Sequence, residues 1–520
     1  MLGGTELTRR GFIWAGTLLA ASMQFPGRAL SAGGDTLKLR SLRDIQVLDP
    51  AFMIGATEID IQHACLGSLA IFQPGETLSW RPSPFVEKIE QVDDLHIAFE
   101  LKPGIQWSGG FGELTAEDVK FSYERIADPK LDSPWKQKWS ALKEVQVTGK
   151  HSGTIVLKEA FTPLWLTTLC DGAGSILCKK AVTAKGGKFT TEFPAVCGPY
   201  QIKRWVPKQR LELERNPLWI GEKPAYEMVD IIFIEDAKSA ELAYESGDVD
   251  FSGIALSSLA RYKADMPPHT KLYEGPGLWW TWMGMNTEHP KLGDVRVRRA
   301  IQNAVDVDAI IKAAYGGVET ARARGIVPRG LIGYRTHTTF EKPDPDKARA
   351  LLKEAGVSDL SLDLKILNSS VNSTTAQIIQ ANLAAVGIKL EITPLDSGPF
   401  WNLGVESAGK DWKDLQLWIM RFGDAPDPSQ MTQWYVSNQV GVWNWERWKN
   451  PEFDQLNQKA LVESDAEKRS AMYLRMQDIM EETGAYVWIA FEPVAILYRD
   501  SIVPAVLPPD HLDLAGFRHA

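Results

Sequence analysis

Leu37 and Leu39 alternate with polar neighbours in LKLRSLRDIQVLDPAF, the period of two that marks a half-buried strand, and the Asp49-Pro50 pair then turns the chain. LHIAFELKPGIQWSGG reads as strand, Pro-Gly turn and strand. The period changes in LTAEDVKFSYERIAD. There Thr115 is placed to cap a helix, Asp118 stands three residues on to reach back to it, and Val119, Tyr123 and Ile126 share one face. In DVRVRRAIQNAVDVDAIIKAAYGG, Val297, Ala300, Ile301, Ala304 and Val305 recur at helical spacing, which predicts a helix ended by Gly316 and Gly317. PDPDKARALLKEAGV opens with Pro and Asp and closes at Gly356. TTAQIIQANLAAVGIKLEITPL predicts a helix stopped at Gly387, then a strand carrying Ile388, Leu390 and Ile392; DAEKRSAMYLRMQDIMEETGAYVWIAF repeats the theme with Gly484 as the stop. Helices alternating with single strands predict an α/β fold with mixed sheets.

The start of the chain has another pattern. Arg9 and Arg10 in TRRGFIW precede an apolar stretch from Phe12 to Ala21 and small residues around Ala29 to Ala32. A basic start, a short apolar segment and a small-residue cleavage region predict a removable export signal over residues 1–32, and the paired arginines assign it to the twin-arginine route. The apolar stretch is too short to anchor as a membrane helix. No cysteine precedes Cys65, so a site for lipid attachment is missing from this segment, and the mature protein is expected free in the periplasm.

Composition narrows the function. About 490 of the 520 residues remain after cleavage, more than one core usually organises, so two or more domains are expected. A net charge of −9 argues against nucleic acid as a partner. Cys65, Cys170, Cys178 and Cys197 are too scattered for a disulfide framework or a paired-cysteine zinc site; Cys170 and Cys178 are near enough in sequence to pair, but buried thiols are the expected state. A Gly-x-Ser-x-Gly elbow and a His-Glu-x-x-His motif are both missing, and GGKF at 186–189 lacks the Ser or Thr that a phosphate loop requires, so no catalytic residue, metal or cofactor is assigned.

LTAEDVKFSYERI, CGPYQIKRWVPKQRLELERNPLWIG, GDVDFSG, MNTEHPKLGDVRVRRAIQNAVDVDAII, PDPDKARALLKEAG and WNWERWKNPEFDQL follow one another in this order. Together they make a chain that resembles the peptide/nickel class, family 5, of extracytoplasmic solute-binding proteins of ABC importers. The resemblance implies an α/β, two-lobed periplasmic-binding-protein fold of type II, with mixed sheets in each lobe and a two-strand hinge. One lobe would comprise residues 35–280 plus 493–520, with 75–195 as an inserted subdomain, and the other 281–492. It also implies a monomer that closes on a peptide or amine-bearing solute and delivers it to a membrane permease and its ATPase.

RFGDAPDPSQ matches the family segment in which an aspartate receives the α-amino group of a peptide, and Asp424 stands at that position. Capping of the loop before Pro426 is the competing use of Asp424; Asp427 is read as turn chemistry. The arginine with which dipeptide binders hold the ligand carboxylate has no counterpart in KILNSSVNS, which puts strict dipeptide recognition in doubt. Arg421 is a candidate cation, with a structural ion pair as its alternative. Nineteen tryptophans are many for this length, and Trp279, Trp280, Trp282, Trp401, Trp412, Trp418, Trp434, Trp443, Trp445 and Trp448 fall in two stretches. Of these, Trp418 and Trp434, which flank Asp424, and Trp280 with Trp282, near the expected hinge, are the candidate cleft residues. An acidic anchor with aromatic walls suits an amine or peptide; aromatic walls alone suit β-linked oligosaccharides, the alternative ligand class. A secreted hydrolase is the remote third reading.

Overall fold

The computed structural model describes residues 36–520 except 54, 75–77, 276, 319–320, 424–425 and 508–510. The export segment and Asp424 therefore lie outside the described residues.

Two mixed sheets organise the chain. The first has seven strands in the spatial order Tyr200–Val206, Arg210–Arg215, Met228–Phe233, Thr36–Ser41, Phe251–Gly253, Val494–Arg499 and Thr270–Gly275. Thr36–Ser41 runs parallel to both of its neighbours, and Val494–Arg499 antiparallel to both of its own. The second has five strands in the order Lys389–Leu395, Ser361–Leu367, Leu417–Phe422, Trp280–Met285 and Tyr486–Phe491. Ser361–Leu367 is parallel to its two neighbours, while Trp280–Met285 is antiparallel to its own. Leu37 and Leu39 alternate with half-buried polar residues, as the period of two predicts.

These registers place strand ends together. Leu367, Leu395, Phe422 and Phe491 finish at one edge of the second sheet, where Trp280 begins. Ser41, Phe233, Gly253 and Gly275 finish at one edge of the first, where Val494 begins. The chain passes between the sheets twice, from Gly275 to Trp280 and from Phe491 to Val494, and both passages join these two edges. The passages are bonded to each other, the Glu492 amide donating to the Trp279 carbonyl at 2.9 Å. In α/β sheets ligands gather outside the carboxyl ends of the strands, which makes this junction the place to look for a site.

A third, four-stranded antiparallel sheet carries Val86–Asp93, His96–Leu101, Ser152–Leu157 and Leu142–Val147. Helix Ala116–Ala127 packs on it with the Thr115 and Asp118 capping box in place and Val119, Tyr123 and Ile126 buried. This region touches the five-stranded half through Leu78, whose amide donates to the Gly330 carbonyl at 2.9 Å, and through Thr162, whose amide donates to the Leu461 carbonyl at 2.8 Å.

The helix predicted to run on to Gly316 is two. Val295–Ala304 ends at Val305, which is extended, and Val307–Ala314 begins afresh with Asp306 accepting from the Ala309 amide at 2.9 Å. A short carboxylate that bonds its own backbone favours a cap over a helix interior, so Asp306 breaks a run that the apolar periodicity alone joins. Gly316 and Gly317 do close the second helix, at φ of 68° and 70°. All four cysteines are buried and free, and burial pushes each thiol above its ordinary pKa.

Candidate functional site

Strand Leu417–Phe422 delivers Arg421 and Phe422 to the junction. The Arg421 side chain is 43% exposed, and its guanidinium forks onto Glu492, with Nε to Oε1 at 2.5 Å and Nη2 to Oε2 at 2.7 Å. Its central carbon also lies 3.6 Å from the centre of the Trp279 ring. Arg421 thus grips one residue from each passage between the sheets, the structural ion pair that its sequence context left open. Gly423 follows, and Trp279 covers it so closely that a Cβ there would lie 2.0 Å from the indole. Asp424 is the next residue in the chain.

Phe422 is the centre of an aromatic cluster with two layers. Trp401 stacks on it at 6.2 Å and 11°, and Trp443 and Trp434 meet it edge-on at 5.7 and 6.1 Å. All four rings are only partly buried. Beneath them Trp282 and Trp280 meet Phe422 at 5.3 and 5.9 Å, and each is 1% exposed; Trp418, at 0%, packs edge-on against Trp445. Of the four candidate tryptophans, Trp434 alone reaches the partly exposed layer. Trp280, Trp282 and Trp418 are enclosed core residues that back it, a correction to their expected place on the cleft surface. The reason is register: Trp280 and Trp282 share one face of a central strand, and Trp418 lies over Gly284 of that strand, whose missing Cβ makes room for it.

Trp279, Trp401, Phe422 and Trp443 are the outer rings that sequence reasoning did not select. Adjacency to Asp424 was a usable signal for Phe422. Trp401 comes from the short helix Ser397–Asn402, and nothing in the local pattern says that it folds onto Phe422.

Under the inner layer lies a buried carboxylate. Glu446 Oε1 accepts from the Trp282 indole at 2.8 Å, and burial pushes the carboxyl up to about 8. Asp427 proves to be more than a turn residue. Its Oδ1 accepts from the Ser429 amide, as turn chemistry requires, but it is buried and paired in a fork with Arg469 at 2.7 and 2.8 Å. That pair anchors the loop after Asp424 to helix Ala466–Glu482.

A cavity of about 480 Å³ opens at the carboxyl edge of the second sheet, with Tyr315, Asn368, Ser369, Asn372, Arg421 and Glu492 among its walls and Leu256 facing them from the first half. Asn368, Ser369 and Asn372 belong to KILNSSVNS. Their side chains are neutral, and Arg421, the lining cation, is already held by Glu492. A carboxylate gains little here; amides and hydroxyls find partners. Among the described residues no group of His, Cys, Asp and Glu is arranged to hold a metal ion, and no helix is long and apolar enough to cross a membrane.

Comparison with known proteins gives a consistent result. Di/tripeptide-binding protein 2 of Pseudomonas aeruginosa (strain UCBPP-PA14) is 27% identical over 506 residues, covering 89% of this chain and 90% of that one. The dipeptide-binding protein of Escherichia coli (strain K12) is 26% identical over 480 residues, covering 85% and 83%. Among solved structures, HbpA2 from Haemophilus parasuis superposes with a TM-score of 0.81 at 22% identity, covering 93% of this chain and 100% of that one. The periplasmic murein tripeptide binding protein MppA, in its unliganded open form, gives a TM-score of 0.79 at 20% identity, covering 94% and 98%. The family described as bacterial extracellular solute-binding proteins, family 5, matches residues 79–461, and the chain belongs to it.

Proposed function

We propose that this protein is the periplasmic receptor of an ABC importer, capturing a peptide or amine-bearing solute between two lobes and handing it to a membrane permease and ATPase. The observation that carries the reading is the half-exposed cluster of Trp401, Trp434 and Trp443 around Phe422, which ends the strand that leads directly into Asp424. The ligand's primary ammonium meets the Asp424 carboxylate, and the outer rings hold the adjoining side chain or backbone. The inner tryptophans keep those rings in place.

The lobes of this reading are residues 35–280 with 493–520 and residues 281–492, with 75–195 inserted in the first. Strand membership supports the division, since each of the two mixed sheets draws its strands from one of these sets, save that Trp280 already opens a strand of the second. Contacts from both lobes to one ligand stabilise the closed form by their differential affinity. Residues 1–32 direct export by the twin-arginine route, and the mature receptor acts as a monomer without catalysis. Dipeptide and tripeptide binders among the relatives support a peptide; a β-linked oligosaccharide finds no support in them.

The test is a thermal-shift screen of the mature protein against short peptides, amines with opine-like conjugates, and β-linked oligosaccharides. A ligand at about one hundred times its dissociation constant adds roughly 2.7 kcal/mol. The expected result is a shift with peptides or amines, and an affinity reduced about tenfold to a hundredfold in Asp424→Asn, the span of a charge-assisted hydrogen bond. A shift with sugars alone, or full affinity in Asp424→Asn, would sink the amine anchor.

A further inference from the structure

In WNWERW an acid and a base stand side by side, and the chain gives them different partners. Arg447 has a φ of 65°, in the left-handed region that side chains disfavour. Its Nε donates to Glu288 Oε2 and its Nη2 to Glu406 Oε1, both at 2.6 Å, and its guanidinium carbon lies 3.9 Å from the centre of the Trp412 ring. Thr287 holds the Glu446 carbonyl with both its amide and its hydroxyl, at 3.0 and 2.8 Å, and Glu446 itself is 1% exposed. A strained backbone and an acid buried away from its neighbouring cation both cost stability, so their occurrence at one turn points to a use.

The carboxyl lies one indole away from the centre of the outer cluster. Its Oε1 accepts from Trp282, and Trp282 with Trp280 braces Phe422, the ring on which Trp401, Trp434 and Trp443 converge. The Trp418 ring is a second neighbour, since it and Oε1 both crowd the point where a Gly284 Cβ would stand, Oε1 at 2.6 Å from it. Among the described residues Oε2 finds no donor, and the buried indole N–H groups of Trp418 and Trp488 find no acceptor. The titratable groups that face the carboxyl are Tyr435 and Tyr486. Burial, reinforced by Glu446, holds both phenols above their ordinary range. The strand residues that share this face, Trp280, Trp282, Trp418, Met420 and Trp488, carry no charge.

We infer that Glu446 is a positioning residue of the aromatic site and makes ligand capture proton-dependent: its neutral carboxyl seats Trp282 beneath Phe422, and its ionised form unseats it. The inference rests on the reading that the outer rings hold the ligand. A carboxylate at this depth needs more than one donor, and it gains them by admitting water or by moving, which takes the Trp282 indole with it. A ligand lying on the outer rings keeps water out, so the bound protein holds the proton more firmly than the free one. The free carboxyl releases its proton at about 8; well below that value this group leaves affinity constant, above it affinity falls, and binding near it takes up a proton.

The test compares the mature wild type with Glu446→Gln, whose amide stays neutral at every pH. A pool of randomised tripeptides is titrated by calorimetry at pH 7, 8 and 9, and at pH 8 in two buffers of different ionisation enthalpy. The peptide amine titrates at about 7.7–8.0 and weakens binding at pH 9 in both proteins, so the difference between them is the measurement. From pH 7 to pH 9 the wild type is expected to lose about tenfold more affinity than the variant, the factor by which a group titrating at about 8 is depleted of its neutral form. At pH 8 it should take up about half a proton more per ligand. A merely structural side chain moves neither difference. Equal pH profiles overturn the proposal and leave the peptide reading standing. If the wild type binds no tripeptide, the peptide reading falls. Near-UV circular dichroism of the indoles without ligand, from pH 7 to pH 9, then decides the positioning role, as it does if the variant alone fails to bind. A change centred near pH 8 in the wild type and missing from the variant upholds that role; the same course in both proteins ends it.

Discussion

At the scale of single residues, Glu446 makes the sharpest claim. Its carboxyl is held up to about 8 by burial beneath the aromatic layers, whereas the unfolded chain titrates near an ordinary glutamate value of about 4.3. Between those values the folded protein keeps a proton that the unfolded chain has released, so stability falls as pH rises through that window and is unaffected by this group below it. Glu446→Gln stays neutral and can still accept from Trp282. Its melting temperature should match the wild type at pH 4 and exceed it by about 2–4 °C at pH 8. Melts at the two values decide this, and an equal gap at both would refute the raised pKa. Gly423 supports a second prediction of this size. Gly423→Ala must push Trp279 off the backbone, which also dislodges the ring under Arg421; ligand affinity should fall at least tenfold in calorimetric titration while the protein still folds. Neither effect was legible in the sequence. Glu446 sits in WNWERW beside Arg447 among three tryptophans, and its burial follows from long-range packing that no local pattern encodes.

At the scale of elements, most of the order was legible because it is local. The capping box at Thr115, the glycine stops at Gly316, Gly356, Gly387 and Gly484, and the alternation along Thr36–Ser41 each depend on residues a few positions apart. Asp306 shows where that reading stops, since an apolar helix period and a capping residue competed at one position and the cap won. Asp306→Ala should destabilise by about 1 kcal/mol, measurable by chemical denaturation. The aromatic cluster was half legible. Its crowding near Asp424 was visible in the sequence, but which rings face outward is set by the pairing of Trp280 with Phe422 and by the arrival of Trp401 from a separate segment. The two layers predict opposite outcomes. Trp401→Ala and Trp443→Ala should weaken ligand binding with modest loss of stability, whereas Trp282→Ala and Trp418→Ala should cost about 3–5 kcal/mol of stability first. Paired denaturation and titration of the four variants separate the layers.

At the scale of the whole molecule, the two passages between sheets must bend if the protein is to open and close, and Arg421 restricts where they can do so. It is bonded to Glu492, directly after strand Tyr486–Phe491, and stacked on Trp279, directly before strand Trp280–Met285. Both contacts lie on the side of the second sheet, so they extend that sheet's rigid body by one residue along each passage. Bending is then left to 277–278 and 493, next to the first sheet. Removing the clamp with Arg421→Met frees Trp279 and Glu492 to move with either half, and the hydrogen bond between the Glu492 amide and the Trp279 carbonyl loses its support. Amide hydrogen exchange at Glu492 should accelerate in the variant. Apparent ligand affinity should drop by up to about tenfold, because a smaller fraction of the free protein holds the binding geometry. Unchanged exchange at Glu492 would mean that the passages are held by their backbone alone, and that Arg421 is a surface ion pair with no part in closure.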